Sequence, residues 1–172
     1  MRLLRWAWRI ALLLALAPVV LTFVYLVFPP VSTLMIGRWL TFQAVDRRWV
    51  PLEDMAAVVP VAIMTAEDAK FCIHYGIDWQ ALREVLEDED EPSRGASTIT
   101  QQTVKNLFLW SGRSYLRKAI EIPLAIGYDL VTPKRRILET YLNIAEWGDG
   151  IFGIEAAAQK HFGKSAKALS AR

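Results

Sequence analysis

The chain has 172 residues, 53% of them hydrophobic, and a formal net charge of +2. So small a charge excludes a global electrostatic case for a nucleic-acid partner and leaves recognition by charge to local clusters. A single cysteine, Cys72, excludes an intrachain disulfide and a cysteine-based zinc cluster.

Residues Ile10 to Phe28 are apolar except for Thr22 and Pro18. As a helix they span about 28 Å, one bilayer core. Arg2, Arg5 and Arg9 precede the run, which by the positive-inside rule places the N-terminus in the cytoplasm and the rest outside it. Trp6, Trp8 and Tyr25 suit interfacial anchors. A cleaved signal peptide is the alternative, with Ala15-Leu16-Ala17 as cleavage site. Pro18 and the continuing apolar run favour an uncleaved anchor. The expected organisation is a basic tail over 1–9, a transmembrane anchor over 10–28, a connection over 29–51 and one globular domain over 52–172.

Pro29-Pro30 ends the anchor. Leu34 to Val45 is amphipathic and fits a helix lying near the membrane surface, and Arg47 to Pro51 reads as extended. Leu52 to Lys70 is helical in pattern, with Met55, Val58, Val59, Ala62, Ile63 and Ala66 as its apolar stripe and Pro60 as a kink or break. Cys72, between Phe71 and Ile73, reads as a small buried apolar residue. Gly76 stops this region, and Asp78 caps a helix with Trp79, Leu82, Val85 and Leu86 inward. The acidic run from Glu87 to Glu91 lacks the ligand alternation and glycine of a calcium loop and reads as solvated.

A helix is expected over Thr98 to Leu109, opened by a Thr98–Gln101 capping box, with Val104, Leu107 and Phe108 on one face. Leu116 to Ile122 forms the next, kinked or ended by Pro123. Thr132-Pro133 starts another, threonine as cap and proline at the first position, with Ile137, Leu138, Tyr141, Leu142 and Ala145 buried. Ile154 to Phe162 is a small-residue helix. No strand is evident. Gly148 to Gly153 matches the dinucleotide fingerprint literally, but no βαβ unit surrounds it, so its glycines read as a tight turn.

Several residues carry chemistry. Glu67 and Asp68 close a largely apolar helix, where partial desolvation would raise a carboxylate pKa and suit it to proton transfer; a solvated pair bridged to Lys70 is the alternative. His74 lacks companions for a metal site, and its ring is expected to bond the backbone of the loop bearing Glu67. Ser97, Thr98, Gln101 and Gln102 cluster at a helix start. Lys105, Arg117 and Lys118, with Arg113, suit a phosphate or pyrophosphate, or are solvated helix faces. Glu121 either pairs with Arg117 and Lys118 along the helix or serves as a second acid, since two carboxylates flanking a sugar bond recur in glycosyl transfer.

Five blocks occur in an order that resembles the glycosyltransferase domain shared by monofunctional biosynthetic transglycosylases and class A penicillin-binding proteins. They are Glu67-Asp68 through Phe71, His74 and Gly76; Gly95-Ala96-Ser97-Thr98-Ile99-Thr100-Gln101-Gln102 with Lys105-Asn106; Arg117-Lys118 with Glu121; Lys134 to Asn143; and Gly150 to Gly153 with Glu155, Ala156, Ala157, Phe162, Gly163 and Lys164. The match spans Leu52 to Lys164 and points to the monofunctional type.

The resemblance implies a mainly α, lysozyme-like domain with a small membrane-contacting lobe between the first two blocks. It implies that lipid II is joined into β-1,4 glycan with inversion and loss of undecaprenyl pyrophosphate, at the cytoplasmic (inner) membrane on its extracytoplasmic face. Glu67 would be the base and Glu121 a second catalytic carboxylate near the donor. Lys105, Arg117 and Lys118 would face the pyrophosphate. Asp68, His74, Ser97, Thr98, Gln101, Gln102 and Asn106 would complete the substrate groove. A divalent cation, Mg2+, has a place beside the pyrophosphate; no organic cofactor is implied. The partners implied are lipid II, the glycan strand, the membrane and other wall-building proteins, with no nucleic acid. Ala96 departs from the usual second glycine. Family domains ordinarily continue past the fifth block, so an uncovered helical face is expected near Arg172. A glycan hydrolase and a membrane-anchored lipid II binder or scaffold with an inactive domain are the competing readings.

Overall fold

The structure is a computed structural model that describes residues 1–87, 95–112 and 114–170. The acidic run beyond Glu87, the Leu86 side chain and the Arg113 cation of the sequence reading lie outside the described residues.

The first helix, α1 (Arg2–Tyr25), begins well before the apolar run and carries the basic tail as helix. It is long and apolar enough to cross a membrane. Pro18 sits inside it, and Thr22 Oγ1 donates to the Pro18 carbonyl at 2.8 Å.

Ser32 caps α2 (Thr33–Leu40) by accepting the Met35 N–H at 3.2 Å. Segment 29–51 is more than a connection. Met35 is fully buried, and Thr33 Oγ1 donates to the carbonyls of Asn106 (3.1 Å) and Leu109 (2.6 Å). The expectation of no strands is also corrected. β1 (Asp46–Arg47) pairs in parallel with β3 (Ile151–Phe152), which pairs antiparallel with β2 (Glu146–Gly148). Strands of two or three residues are too short to print an alternating pattern on a sequence. The fingerprint-like glycines form the β2–β3 turn. Gly153 has φ +81°, and a Cβ there would lie 2.8 Å from the Asn143 carbonyl oxygen, so the chain needs glycine.

The helix expected from Leu52 to Lys70 is two pieces. A 3-10 turn (Leu52–Asp54) precedes α3 (Val58–Glu67), so Pro60 falls in the first turn, where its missing N–H removes no helical bond. The stripe is partly mistaken: Met55 and Val59 are buried, whereas Ala62 and Ala66 are exposed. Cys72 is exposed as well, against expectation. Asp78 caps α4 (Trp79–Glu87) as its sequence position suggests, Oδ1 accepting the Gln80 and Ala81 N–H groups at 3.0 Å each. Trp79 is 56% exposed and does not point inward.

At the centre lies α5 (Ile99–Phe108), packed against α6 (Tyr115–Val131) and α7 (Lys134–Ile144). α6 runs without a break through Pro123. Thr132 caps nothing: it ends α6, and Pro133 stands before the first residue of α7. The α7 stripe of Ile137, Leu138, Tyr141, Leu142 and Ala145 is buried as periodicity indicates. In α8 (Ile154–Phe162) Ala156, Ala157 and Ala158 are buried, and small side chains let this helix lie close to α7 and the sheet.

Candidate active site

Glu67 is the last residue of α3, and Asp68 turns the chain out of the helix. The Asp68 carboxylate accepts the Ile99 N–H at 2.9 Å and contacts His74 Nε2 at 3.0 Å through each oxygen. The ring of His74 is thus held by a side chain, where the sequence reading expected backbone. Its carbonyl accepts from Lys134 Nζ at 2.7 Å. Lys134 also pairs with Asp129 at 2.8 Å, and Asp129 accepts Thr100 Oγ1 at 2.7 Å. Gly76 closes the loop with φ +80°; a Cβ there would meet the Ala125 carbonyl oxygen at 2.6 Å. These contacts tie the loop after Glu67 to the starts of α5 and α7.

Glu67 opens onto a groove of about 340 Å³ lined by Lys70, Ser97, Thr98 and Gln102, among others. It is exposed, so the expected desolvation is absent. Lys70 contacts Gln80 (2.9 Å) and Asp78 (3.7 Å), so it does not neutralise Glu67 or Asp68.

One direct partner orients Glu67. Gln102 Nε2 donates to its Oε2 at 2.8 Å, and Tyr141 OH donates to Gln102 Oε1 at 3.2 Å. With its oxygen held by Tyr141, the amide presents N–H groups to the carboxylate. Burial, followed by the charge of Glu67, raises the Tyr141 pKa, so the phenol stays a proton donor throughout the working pH range. Tyr141 was legible as a core residue of α7, but nothing in its spacing announces this bond. Tyr141→Phe removes one neutral hydrogen bond of about 1 kcal/mol, so we expect a fall in kcat of roughly five-fold with KM little changed. Steady-state kinetics check this; wild-type kcat would remove Tyr141 from the arrangement.

A second cluster adjoins the groove. Glu121, 2% exposed, is ion-paired to Arg117 Nη1 and to Lys118 Nζ, the latter at 2.8 Å. Arg117 Nε donates to the Gly112 carbonyl at 2.8 Å, which fixes the guanidinium plane. Lys118 Nζ also reaches Ser97 Oγ at 3.2 Å, joining this cluster to the Glu67 groove. Lys105 is half-buried beside it. Burial lowers its pKa from the ordinary lysine value, against the pull of Glu121 and with a further push from Arg117 and Lys118. Three cations therefore face one carboxylate.

Other expected site residues serve the frame. Thr98 and Gln101 form the capping box, each accepting the other's backbone N–H, and both are buried. Thr98 Oγ1 donates to the Gly76 carbonyl at 2.6 Å. Asn106 is buried, and its carbonyl is taken by Thr33 of α2. Glu67, Gln102, Ser97, Lys118, Arg117, Glu121 and Lys105 are brought together; Asp68 and His74 stand behind Glu67.

The chain has identifiable relatives among known proteins. A family model described as Transglycosylase matches residues 34–172. A "Biosynthetic peptidoglycan transglycosylase" of Rhodopseudomonas palustris (strain HaA2) is 58% identical over 173 residues, covering 98% of this chain and 76% of that protein. A protein of the same description from Brucella suis biovar 1 (strain 1330) is 55% identical over 170 residues, covering 96% of this chain and 76% of its own length. Another, from Rhizobium meliloti (strain 1021), is 57% identical over 145 residues, covering 83% and 61%.

Proposed function

Because the chain belongs to the transglycosylase family and is a peptidoglycan glycosyltransferase, we propose that it polymerises lipid II into β-1,4-linked glycan. The anomeric carbon is inverted and undecaprenyl pyrophosphate released. The observation that carries this reading is the juxtaposition of a carboxylate, Glu67, that has no ion pair among the described residues with a three-cation cluster across Ser97. A base and a pyrophosphate acceptor are what such a transfer needs.

In this scheme Glu67 takes the proton of the acceptor sugar's 4-hydroxyl as that oxygen bonds the anomeric carbon of the donor. The bond from that carbon to the pyrophosphate oxygen breaks, and the electron pair leaves with the pyrophosphate. Attack opposite the leaving group inverts the centre. Lys105, Arg117 and Lys118 stabilise the charge growing on the leaving oxygens. Glu121 aligns two of these cations and, already ion-paired to both, acts through them. Gln102 orients the base.

The expected Mg2+ does not find a ligand set in these side chains. Among the described residues no three His, Cys, Asp or Glu side chains converge. Glu121 is taken by Arg117 and Lys118, and Asp68 by His74 and the Ile99 amide. No step of the scheme depends on the ion. α1 anchors the enzyme in the cytoplasmic membrane with the domain outside, where lipid II and other wall-building proteins are met.

Incubation of the detergent-solubilised chain with labelled lipid II tests the reaction. The expected products are lysozyme-sensitive β-linked chains and free undecaprenyl pyrophosphate; disaccharide without polymer would overturn the assignment in favour of hydrolysis.

The lowered Lys105 pKa adds a pH prediction. Between its folded value and that of free lysine the unfolded chain binds more protons, so stability rises with pH across this window. Activity moves the other way, because the cation facing the pyrophosphate is lost there. Lys105→Arg keeps the charge and should shift the alkaline limb of the pH–rate profile upward. An unmoved limb would remove Lys105 from the charge-stabilising role.

A further inference from the structure

Asp129 in the last turn of α6 faces Lys134, the first residue of α7, across the corner between the two helices. Neither side chain lines the groove, and no step of the scheme uses either. The Asp129 side chain is 2% exposed, and its Oδ2 accepts both Lys134 Nζ at 2.8 Å and Thr100 Oγ1 at 2.7 Å. A buried carboxylate must be paired and hydrogen-bonded to persist, and this one is. An apolar pair of similar volume is often as stable, so stability alone does not call for the cluster.

Lys134 Nζ carries three N–H donors on one atom. It meets Asp129, donates to the His74 carbonyl at 2.7 Å, and lies 4.6 Å from the centroid of the Phe71 ring, whose face attracts a cation. A guanidinium spreads its donors over a flat fork and does not serve three partners from a single nitrogen.

The contacts of this cluster lead to both sides of the base. Phe71 and His74 belong to the turn that follows Glu67. That turn is braced by backbone bonds from Asp68 N–H to the Met64 carbonyl (2.9 Å) and from Phe71 N–H to the Asp68 carbonyl (3.0 Å). Holding its far end at His74 therefore holds the end of α3. Thr100, fully buried, stands on α5 two positions before Gln102, whose amide donates to Glu67 at 2.8 Å. The base and its orienting amide are thus both referred to one buried point.

We propose that Asp129 and Lys134 are positioning residues that act through His74 and Thr100 to set the separation of Glu67 from Gln102, and with it the aim of the carboxylate at the acceptor hydroxyl. The proposal rests on Glu67 being the base. Placement at such a site is exacting, because a shift of about 1 Å can cost on the order of 10²-fold in rate.

Lys134→Arg keeps a cation beside Asp129 and loses the single-atom arrangement. On the full chain with lipid II we expect kcat to fall roughly ten-fold, with KM within about two-fold of wild type and the melting temperature little changed. Thr100→Val, which cuts only the α5 leg, should lower kcat in the same manner, and Thr100→Ser should restore it. Each change is then combined with Gln102→Leu in a double-mutant cycle. Acting through the Glu67–Gln102 contact, each should lower kcat by no more than about two-fold once Gln102 cannot donate. An undiminished effect in that background reports a general loss of structure and overturns the proposal. Wild-type kcat in both Lys134→Arg and Thr100→Val overturns it too, and if Glu67→Gln loses turnover in the same assay, the base itself stands. Normal turnover in Glu67→Gln removes the base and its positioning residues together.

Discussion

Glu67→Gln is expected to lower kcat by about 10²–10⁴-fold, the usual contribution of a positioned general base, while lipid II binding persists. Glutamine matches glutamate in shape and can still meet Gln102, which lies 2.8 Å from the present carboxylate. It has no lone pair able to take the hydroxyl proton at neutral pH. The effect should therefore fall on the chemical step, and the variant should fold, since Glu67 is exposed. Glycan formation and lipid II binding, measured on wild type and variant together, separate the readings. Unchanged turnover would dismiss Glu67 as the base. Binding without product from either chain would make the protein a lipid II binder.

Glu121→Ala should be the most destabilising change in the site. The carboxylate is 2% exposed and is the shared partner of Arg117 and Lys118, whose side chains are 12% and 31% exposed. Removing it leaves two cations close together and poorly solvated, at about 3–5 kcal/mol, the usual cost of breaking a buried pair on one side. Against a domain stability of roughly 5–15 kcal/mol this is a large fraction. The melting temperature should fall on the order of 10 °C. Polymerisation should fall with it, because among the described residues the Arg117 guanidinium then keeps only the Gly112 carbonyl as partner. Melting curves of the solubilised chain decide the role. Lost activity at wild-type stability would mean that Glu121 acts directly on substrate.

The elements that sequence reading placed well are those whose causes are local. The Thr98–Gln101 capping box, the Asp78 cap, the buried stripe of α7 and the extent of α8 all rest on residues within one or two helical turns. Capping and 3.6-residue periodicity act over that range, so a window of sequence contains them. Errors came where the outcome depends on what packs nearby. The Leu52–Lys70 pattern is helical throughout, yet the chain breaks before Val58. Cys72 and Trp79 are apolar enough to bury, but the described fold brings nothing to cover them.

By itself the sequence determined the chain's helical character, its membrane-length N-terminal helix and the residue types able to act as base and as pyrophosphate partners. Tertiary structure alone decided how these side chains are arranged. Gln102 reaches Glu67 across 35 positions, Tyr141 reaches Gln102 across 39, Asp68 holds the first amide of α5 across 31, and β1 pairs with a strand near the far end. None of these contacts leaves a periodic trace. Each exists because packing of α5 against α6 and α7 closes the intervening loops, and the loop-closure entropy is offset by the core that packing creates.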